Sequence, residues 1–382
     1  MAANHPSPLT NSINSIICVG NISGAFADGA ILFPLMAALA VSTGMNGAFL
    51  LGGAGAAYIF AGFFFRIPMP VQPLKSIVVG AVALGASAGE VRLATLGIGL
   101  FCLSVMLLPV ERIEKCIPRH LIHGIQFSLG VLLVTNGIEW VWGEGSVIYF
   151  TALALLMPAA IFMQSRIGAP VLGVIAVLGI ACGFWPGEHA AVIHTKAAVP
   201  KTGIQPGIVI SLLLPQLALT LTNSVVGTYD TARRYFGEVS SRVTLKNLLL
   251  SIGIGNVIAA AIGGLPFCHG SGGMTAHVRA GAKDYTMNFY IGGFLVLLVL
   301  ASVVLKVDLM PHYPVLLMAA LVCMTGWYHM QLAADSWKTT DLRIIILAMG
   351  LTVLITHNML YGLLMGITFE AARRQGWLKI KT

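Results

Sequence analysis

The stretch from Ile67 to Gly85, IPMPVQPLKSIVVGAVALG, limits the fold more than any other part of the chain. Pro68, Pro70 and Pro73 remove three backbone donors and hold the residues before them extended, so 68–72 is expected to be non-helical. A helix is expected from about Pro73, because proline is tolerated in a first turn where its missing N–H has no partner to lose. From there to Ala88 the residues are too few for the roughly 20 that cross a bilayer. The piece reads as a half-length helix with an open N-terminus at membrane depth and with Gln72, Pro73, Lys75 and Ser76 at its start. Unpaired N–H groups, the positive end of a helix dipole and a lysine together suit an anion.

Composition explains why the membrane is the solvent. Of 382 residues, 57% are hydrophobic and only 9% charged, with mean hydropathy +0.88. This is the balance of a polytopic integral membrane protein. The polar start, Met1 to Asn11, lacks the basic region of a signal peptide, so the first apolar segment is expected to be retained. Six cysteines (Cys18, Cys102, Cys116, Cys182, Cys268, Cys323) show no paired spacing, and neither a disulfide framework, a metal site nor a cofactor is expected. The net charge of +8 reflects lysines and arginines flanking helices and implies no nucleic-acid partner.

Hydropathy breaks mark fourteen segments: roughly 14–40, 47–65, 73–88, 92–110, 119–138, 146–164, 168–185, 207–228, 245–262, 270–282, 287–305, 312–329, 341–356 and 358–372. The short ones, 73–88 and 270–282, stand third in each set of seven. Matched short, Gly/Pro-interrupted segments are the sequence mark of a transporter site built on an inverted repeat. The expected fold is therefore all-α and polytopic, with repeats 1–195 and 196–382, the second inverted because seven spans are odd. With a cytoplasmic N-terminus, most lysines and arginines collect on the cytoplasmic side, among them Arg66, Arg112, Arg119, Arg166, Arg233, Arg234, Arg242, Arg279, Lys283, Arg343 and the tail after Arg373. The outer side keeps Arg92, Lys196, Lys201 and Lys306. This bias places both termini in the cytoplasm.

Asp28 falls near the middle of the first segment, with Pro34 beyond it. A mid-membrane carboxylate costs about 2.5–3.5 kcal/mol on insertion scales. It either caps a helix break or bonds a neighbouring amide, or it takes up a proton during transport or orients Lys75 or a polar partner across the site. In the eighth segment Gln216, Thr220 and Asn223 follow i, i+4, i+7 spacing on one face, and Pro215 is expected to kink the helix there. Such a stripe serves either as glue between helices or as a site wall. The second broken segment carries CHGSGG, in which His269 precedes Gly270, Ser271, Gly272 and Gly273. Glycines at a helix start let backbone N–H groups close on an oxyanion; otherwise the motif is a flexible turn. His269 is a candidate donor or titrating group, or a structural donor. Gly292, by contrast, sits inside an ordinary span.

These residues carry a resemblance. Ser23 to Leu35 is similar to a first-helix pattern SGAxGDLGTxIPL, Pro70–Lys75 to PVQPMK, Pro215–Val225 to PQLPLTLGNAV, and Cys268–Ala282 to CHGAGGLAAQYRFGA. All four belong to the molybdate transporter family of the sulfate permease (SulP) superfamily, which the chain resembles over both halves. Departures include Ala27, Gly29, Ala30 and Ile31 around the aspartate, Thr222 for a glycine, and His277 and Val278 for a Gln-Tyr pair.

The resemblance implies a core of segments 1–4 and 8–11 moving against a gate of 5–7 and 12–14, and a homodimer as the usual assembly of relatives. The substrate it implies is a tetrahedral oxyanion, molybdate, sulfate or tungstate. Many sulfate permeases carry a cytoplasmic STAS domain, for which this chain leaves no room. On that reading Gln72, Pro73, Lys75, Ser76, Gln216, Thr220, Asn223, His269, Gly270, Ser271 and Gly272 bind the anion. A dianion entering a negative interior needs a driving force, for which co-transported protons are the simplest supply and sodium the alternative; Asp28 and His269 are the candidate proton carriers of an alternating-access symporter in the cell (inner) membrane.

Other classes leave different marks. Carriers of bicarbonate, a carboxylate or a nucleobase share related folds, but a nucleobase site would present acidic residues on the eighth and tenth segments. A membrane enzyme needs clustered acids, histidines or a nucleophile, and only His120 and His123 near Glu111 and Glu114 approach that. A passive anion channel would be separated from a carrier by uptake against a gradient.

Overall fold

The computed structural model describes residues 19–108, 118–143, 147–167, 170–182, 203–334 and 340–375. The first half runs α1 (Val19–Ala25), α2 (Gly29–Thr43), α3 (Gly47–Phe65), β1 (Gln72–Pro73), α4 (Lys75–Leu84), α5 (Ala88–Val105), α6 (Arg119–Gly143), α7 (Val147–Ile167) and α8 (Pro170–Cys182). The second opens with α9 (Pro206–Leu219), which continues through a π-helical turn at Thr220–Val226 into α10 (Gly227–Phe236). It goes on through α11 (Leu245–Ile262), β2 (Phe267–Cys268), α12 (Ser271–Arg279), α13 (Thr286–Leu305), α14 (Val315–Gln331), α15 (Thr340–Thr356) and α16 (Met359–Arg374). Among the described residues, seven helical stretches are long and apolar enough to cross a bilayer. Met1–Asn11, Cys18, Glu111, Glu114, Cys116, the boundary at 195 and Lys196 and Lys201 lie outside the described residues.

Local chemistry sets the helix ends. Asn46 starts α3 by accepting from the N–H groups of Ala48 and Phe49 at 2.9 and 3.2 Å, and Thr244 starts α11 by accepting from Asn247 N. A reciprocal Ser87/Glu90 capping box begins α5 at Ala88, four residues before the hydropathy break placed it. The first segment is not continuous: the chain turns at Phe26–Asp28 and α2 restarts behind Asp28. In the eighth, Pro215 stays inside α9, and the departure from α geometry falls at Thr220–Val226 instead.

The helices pack in two groups. In one, α3 lies along α13 and α5 along α11; in the other, α6 packs on α14 and α15. Three close glycine crossings join the halves, Gly55 with Gly292, Gly99 with Gly253 and Gly130 with Gly326, where any Cβ would press on the opposing backbone. Small residues let helix backbones meet where lipid offers no hydrophobic drive. Gly292 is thus a packing position, not the neutral span residue its sequence context implied.

At the centre of the first group the two extended segments pair antiparallel, Gln72 opposite Cys268 and Pro73 opposite Phe267, and Leu74 N–H donates to Pro266 O at 2.9 Å. So short a ladder leaves most of its backbone groups unpaired. Two buried asparagines satisfy them: Asn288 accepts from Met69 N and donates to Met69 O (3.1 and 2.6 Å), and Asn256 does the same for Phe267 (3.0 and 2.7 Å). Asn256→Leu keeps the volume and strands both Phe267 groups, at about 1–3 kcal/mol per buried unsatisfied group. A clear fall in the unfolding temperature of detergent-solubilised protein is the expected outcome.

Candidate functional site

Both extended segments end where a short helix begins, so α4 and α12 start back to back at the centre of the bundle. A cavity of about 310 Å³ opens beside them. Its walls include Asp28, Gln72, Lys75, Gln216, Asn223, Ser271 and Gly272, and it runs outward past Thr275 and Ala276 to Arg279, Tyr328, His329 and Leu332.

Three side chains form a relay along one wall. Lys75 Nζ donates to Gln72 Oε1 at 3.0 Å, and Gln72 Nε2 donates to Asp28 Oδ1 at 2.6 Å. The ammonium only donates and the carboxylate only accepts, so the Gln72 amide has one orientation that serves both. Lys75 keeps two N–H bonds beyond the one given to Gln72 and lines the cavity while only 8% exposed. Asp28 therefore bonds a neighbouring amide, and Lys75 sits two hydrogen bonds from it.

On the opposite wall the π-helical turn widens the helix at the depth of the half-helix starts, a distortion often found at functional sites. It presents Asn223 and Ser224 to the cavity. Asn223 Oδ1 accepts from Ser271 Oγ at 2.8 Å. Gln216 Oε1 accepts from Ser76 N at 3.0 Å, and its Nε2 donates to Thr220 Oγ1 at 3.2 Å. The first turn of α4 is thus partly capped from α9, whereas the first turn of α12 has no side-chain cap and faces the cavity at Ser271 and Gly272.

The glycines divide by task. A Cβ on Gly270 would collide with Gln72 Oε1, and one on Gly273 would lie 2.7–2.9 Å from Gln72, Pro70 and Asp28. Both are needed for α12 to approach β1. A Cβ on Gly272 meets nothing within 4 Å because it points into the open cavity.

Some expected residues stand elsewhere. Pro73, Ser76, Thr220, His269 and Gly270 do not line the cavity. His269 is fully buried, with Nδ1 on Pro70 O and Nε2 on Ser251 Oγ, both at 2.8 Å, and its carbonyl accepts from Thr228 Oγ1 at 2.5 Å. Both ring nitrogens are engaged, so His269 pins the two extended segments together and has no nitrogen to offer an anion. Of the groups named for the enzyme alternative, only the histidines fall among the described residues. His120 pairs with Glu370 at 2.8 Å, and Arg373 and Arg374 clamp the same carboxylate, away from the cavity.

Sequence reasoning missed the wall supplied by the second helix group: Gln126 on α6 and Thr325, Tyr328 and His329 on α14. A signal was present, since Thr325, Tyr328 and His329 share a helix face in an apolar span.

Two helix groups around broken helices define a membrane anion-transporter fold. The chain superposes on the transmembrane domain of a cyanobacterium bicarbonate transporter, BicA, with a TM-score of 0.61 and 16% identity, covering 91% of this chain and 97% of that one. It also superposes on the murine solute carrier 26 member A9 anion transporter in an inward-facing state, with TM-score 0.65 and 10% identity over 100% of this chain and 73% of that one. A family model described as molybdate transporter of MFS superfamily matches residues 20–133 and 208–328. The chain belongs to this molybdate transporter family, whose members are transporters and not enzymes. Molybdate transporter 1 of Arabidopsis thaliana is 23% identical over 375 residues, spanning 81% of this chain and 78% of the relative.

The glycine geometry gives a direct test. Gly272→Val fills the cavity without backbone collision and is expected to abolish substrate binding while the protein stays folded. Gly293→Val, where a Cβ also meets nothing within 4 Å, is the matched control and should bind normally in a ligand-induced thermal-shift assay.

Proposed function

We propose that the protein takes up molybdate, or a close tetrahedral oxyanion such as sulfate or tungstate, as a proton-coupled symporter working by alternating access. The observation that carries this reading is the polar face of the central cavity, where the Lys75 ammonium, the open first turn of α12 and the amide of Asn223 converge. Donors on that face outnumber acceptors, which suits a group of charge −2 with oxygens on every side. Ser271 and Gly272 supply helix-terminal N–H groups, Lys75 supplies charge, and Gln72 and Gln216 hold the two half-helix starts in register. Arg279 at the mouth adds an attractive field for an approaching anion.

Orientation and cycle follow from the same elements. We read residues 1–195 and 196–382 as inverted repeats. The antiparallel strand pairing supports this, and each half-helix starts three residues after the paired positions Gln72 and Cys268. With both termini cytoplasmic, the end marked by Arg279 faces inward, and the cavity corresponds to an inward-open state in the cell membrane. Closure is a movement of the α6 and α14 wall, with Gln126, Thr325 and His329, against the half-helix wall.

Moving a dianion into a negative interior costs about 2.3 kcal/mol per charge per 100 mV, and protons are the simplest counter-supply. Asp28 is the carrier in this scheme, and His269 is not. Protonation of Asp28 removes a negative charge two hydrogen bonds from the Lys75 ammonium and so favours the anion.

Uptake of labelled molybdate by purified protein in liposomes, competed with sulfate, tungstate and phosphate, tests the substrate; no saturable uptake of any of these anions overturns it. Lys75→Ala is expected to weaken molybdate binding about 10- to 150-fold, the loss of a charged hydrogen bond of about 1.5–3 kcal/mol. Asp28→Asn is expected to retain exchange of internal for external anion and to lose accumulation driven by an inward proton gradient. A mutant that still concentrates molybdate rules out Asp28 as carrier.

A further inference from the structure

The half-helix wall of the cavity is rich in donors, and the facing wall carries a group of the opposite kind. His329, in the last turn of α14, is the one histidine on the cavity among the described residues. Its Nδ1 lies 2.9 Å from Thr325 O, one turn back on the same helix. A carbonyl only accepts, so Nδ1 carries the hydrogen of the neutral ring and Nε2 carries a lone pair. Nε2 has no hydrogen-bond partner among the described residues, and it is not one of their sealed polar atoms, as Nε2 of His277 is. On a half-buried ring that lines the cavity, this leaves Nε2 open to it. The neighbouring Thr325 hydroxyl has spent its hydrogen on Leu321 O at 2.8 Å.

A lone pair in that place has the wrong sign for the substrate. A tetrahedral dianion shows only oxygen lone pairs, so neutral His329 repels it at close range, whereas the imidazolium offers an N–H and a positive charge. Lys75 decides when that proton is held. Its charge reaches the ring, and two cations facing each other where water is scarce repel. A dianion between them reverses the balance, because each cation is then drawn to it. Anion and proton therefore favour each other's binding, and the effect is equal in both directions.

Position decides which solution supplies the proton. His329 stands two residues from the end of α14, and Arg279, the last residue of α12, lines the cavity with it. Lys75 and Ser271 begin their helices at the deep end. The imidazole thus lies between the anion and the mouth.

We propose that His329 is a proton-dependent ligand of the transported anion, retaining it at low cytoplasmic pH and letting it go at high. The proposal rests on the inward-facing oxyanion carrier described above and adds a control to the same site. No bond but an N–H forms; the proton comes from cytoplasmic water and returns there. His329 therefore adds nothing to the driving force, which stays with Asp28. The other charged or titratable groups on the cavity wall are Asp28, Lys75, Cys268, Arg279 and, on the same helix, Tyr328. Of the helices packed on α14, α6 carries His123 one turn before Gln126, and α2 brings none beyond Asp28 at its start. Among the described residues, α7 and α8 put none on the cavity.

The test first silences the carboxylate. In Asp28→Asn protein, anion affinity is measured by calorimetry in detergent, with molybdate and with sulfate, which stays a dianion throughout. Affinity is expected to rise about tenfold from about pH 7.5 to about pH 5.5, the change that one linked proton produces across the ordinary histidine range. Adding His329→Gln, whose amide donates at every pH, is expected to flatten the profile. His329→Arg, with a fixed charge, is expected to flatten it at high affinity. The same pair in the wild-type background preserves the comparison should Asp28→Asn not fold. A flat profile in Asp28→Asn itself, or one that both His329 variants leave unchanged, overturns the ligand and leaves the carrier standing. Sidedness is read from anion release in membrane vesicles. In inside-out vesicles, where the bath meets the inner mouth, bath pH is expected to set the rate, and in right-side-out vesicles it is not. Control by the outer solution instead overturns the inward-facing reading and this proposal with it.

Discussion

The structure depends on where backbone hydrogen bonds go when a helix stops inside a membrane. Hydrocarbon offers no water to an exposed N–H or C=O, so irregular backbone survives at that depth only if protein satisfies it. Here the interruptions on both sides of the molecule solve the problem together. The extended segments before α4 and α12 pair with each other, Asn256 and Asn288 take up neighbouring groups, and His269 ties one segment to Pro70 of the other.

That solution also creates the site. Pairing the extended segments fixes the start of each short helix next to the other, and it leaves the first turn of α12 with no partner but the cavity. Gly270 and Gly273 permit the approach because any side chain would strike Gln72 or Asp28. One local arrangement therefore supplies structural closure, a helix end open to the cavity, and the Asp28–Gln72–Lys75 relay along its wall.

The two helix groups are each held together by close glycine crossings and meet at the cavity. Glycine crossings lock α3 to α13 and α5 to α11 around the strand pair, while Gly130 and Gly326 lock α6 to α14 in the other group. The cavity lies where the groups face each other, so it draws one wall from each.

Much was legible in the sequence because prolines and glycines act locally. Pro68, Pro70 and Pro73 break a helix wherever they are placed, and an apolar run of twenty residues spans a bilayer in any fold, so the broken segments, the membrane class, Lys75, Asn223, Ser271 and Gly272 could be read directly. Partnership could not. Whether Gln216 faces an anion or caps α4, whether His269 is free or pinned, and whether Asp28 bonds Gln72 all depend on residues 44 to 199 positions away. The wall from α6 and α14 was hidden for the same reason: a polar face on an apolar helix does not say which neighbour it meets. Sequence alone determined where the chain must break in the membrane and which groups stand at the breaks. Only the tertiary structure decided which of those groups are consumed by closing the fold and which are left to face a substrate, because a buried hydrogen bond made to protein is one no longer offered to a ligand.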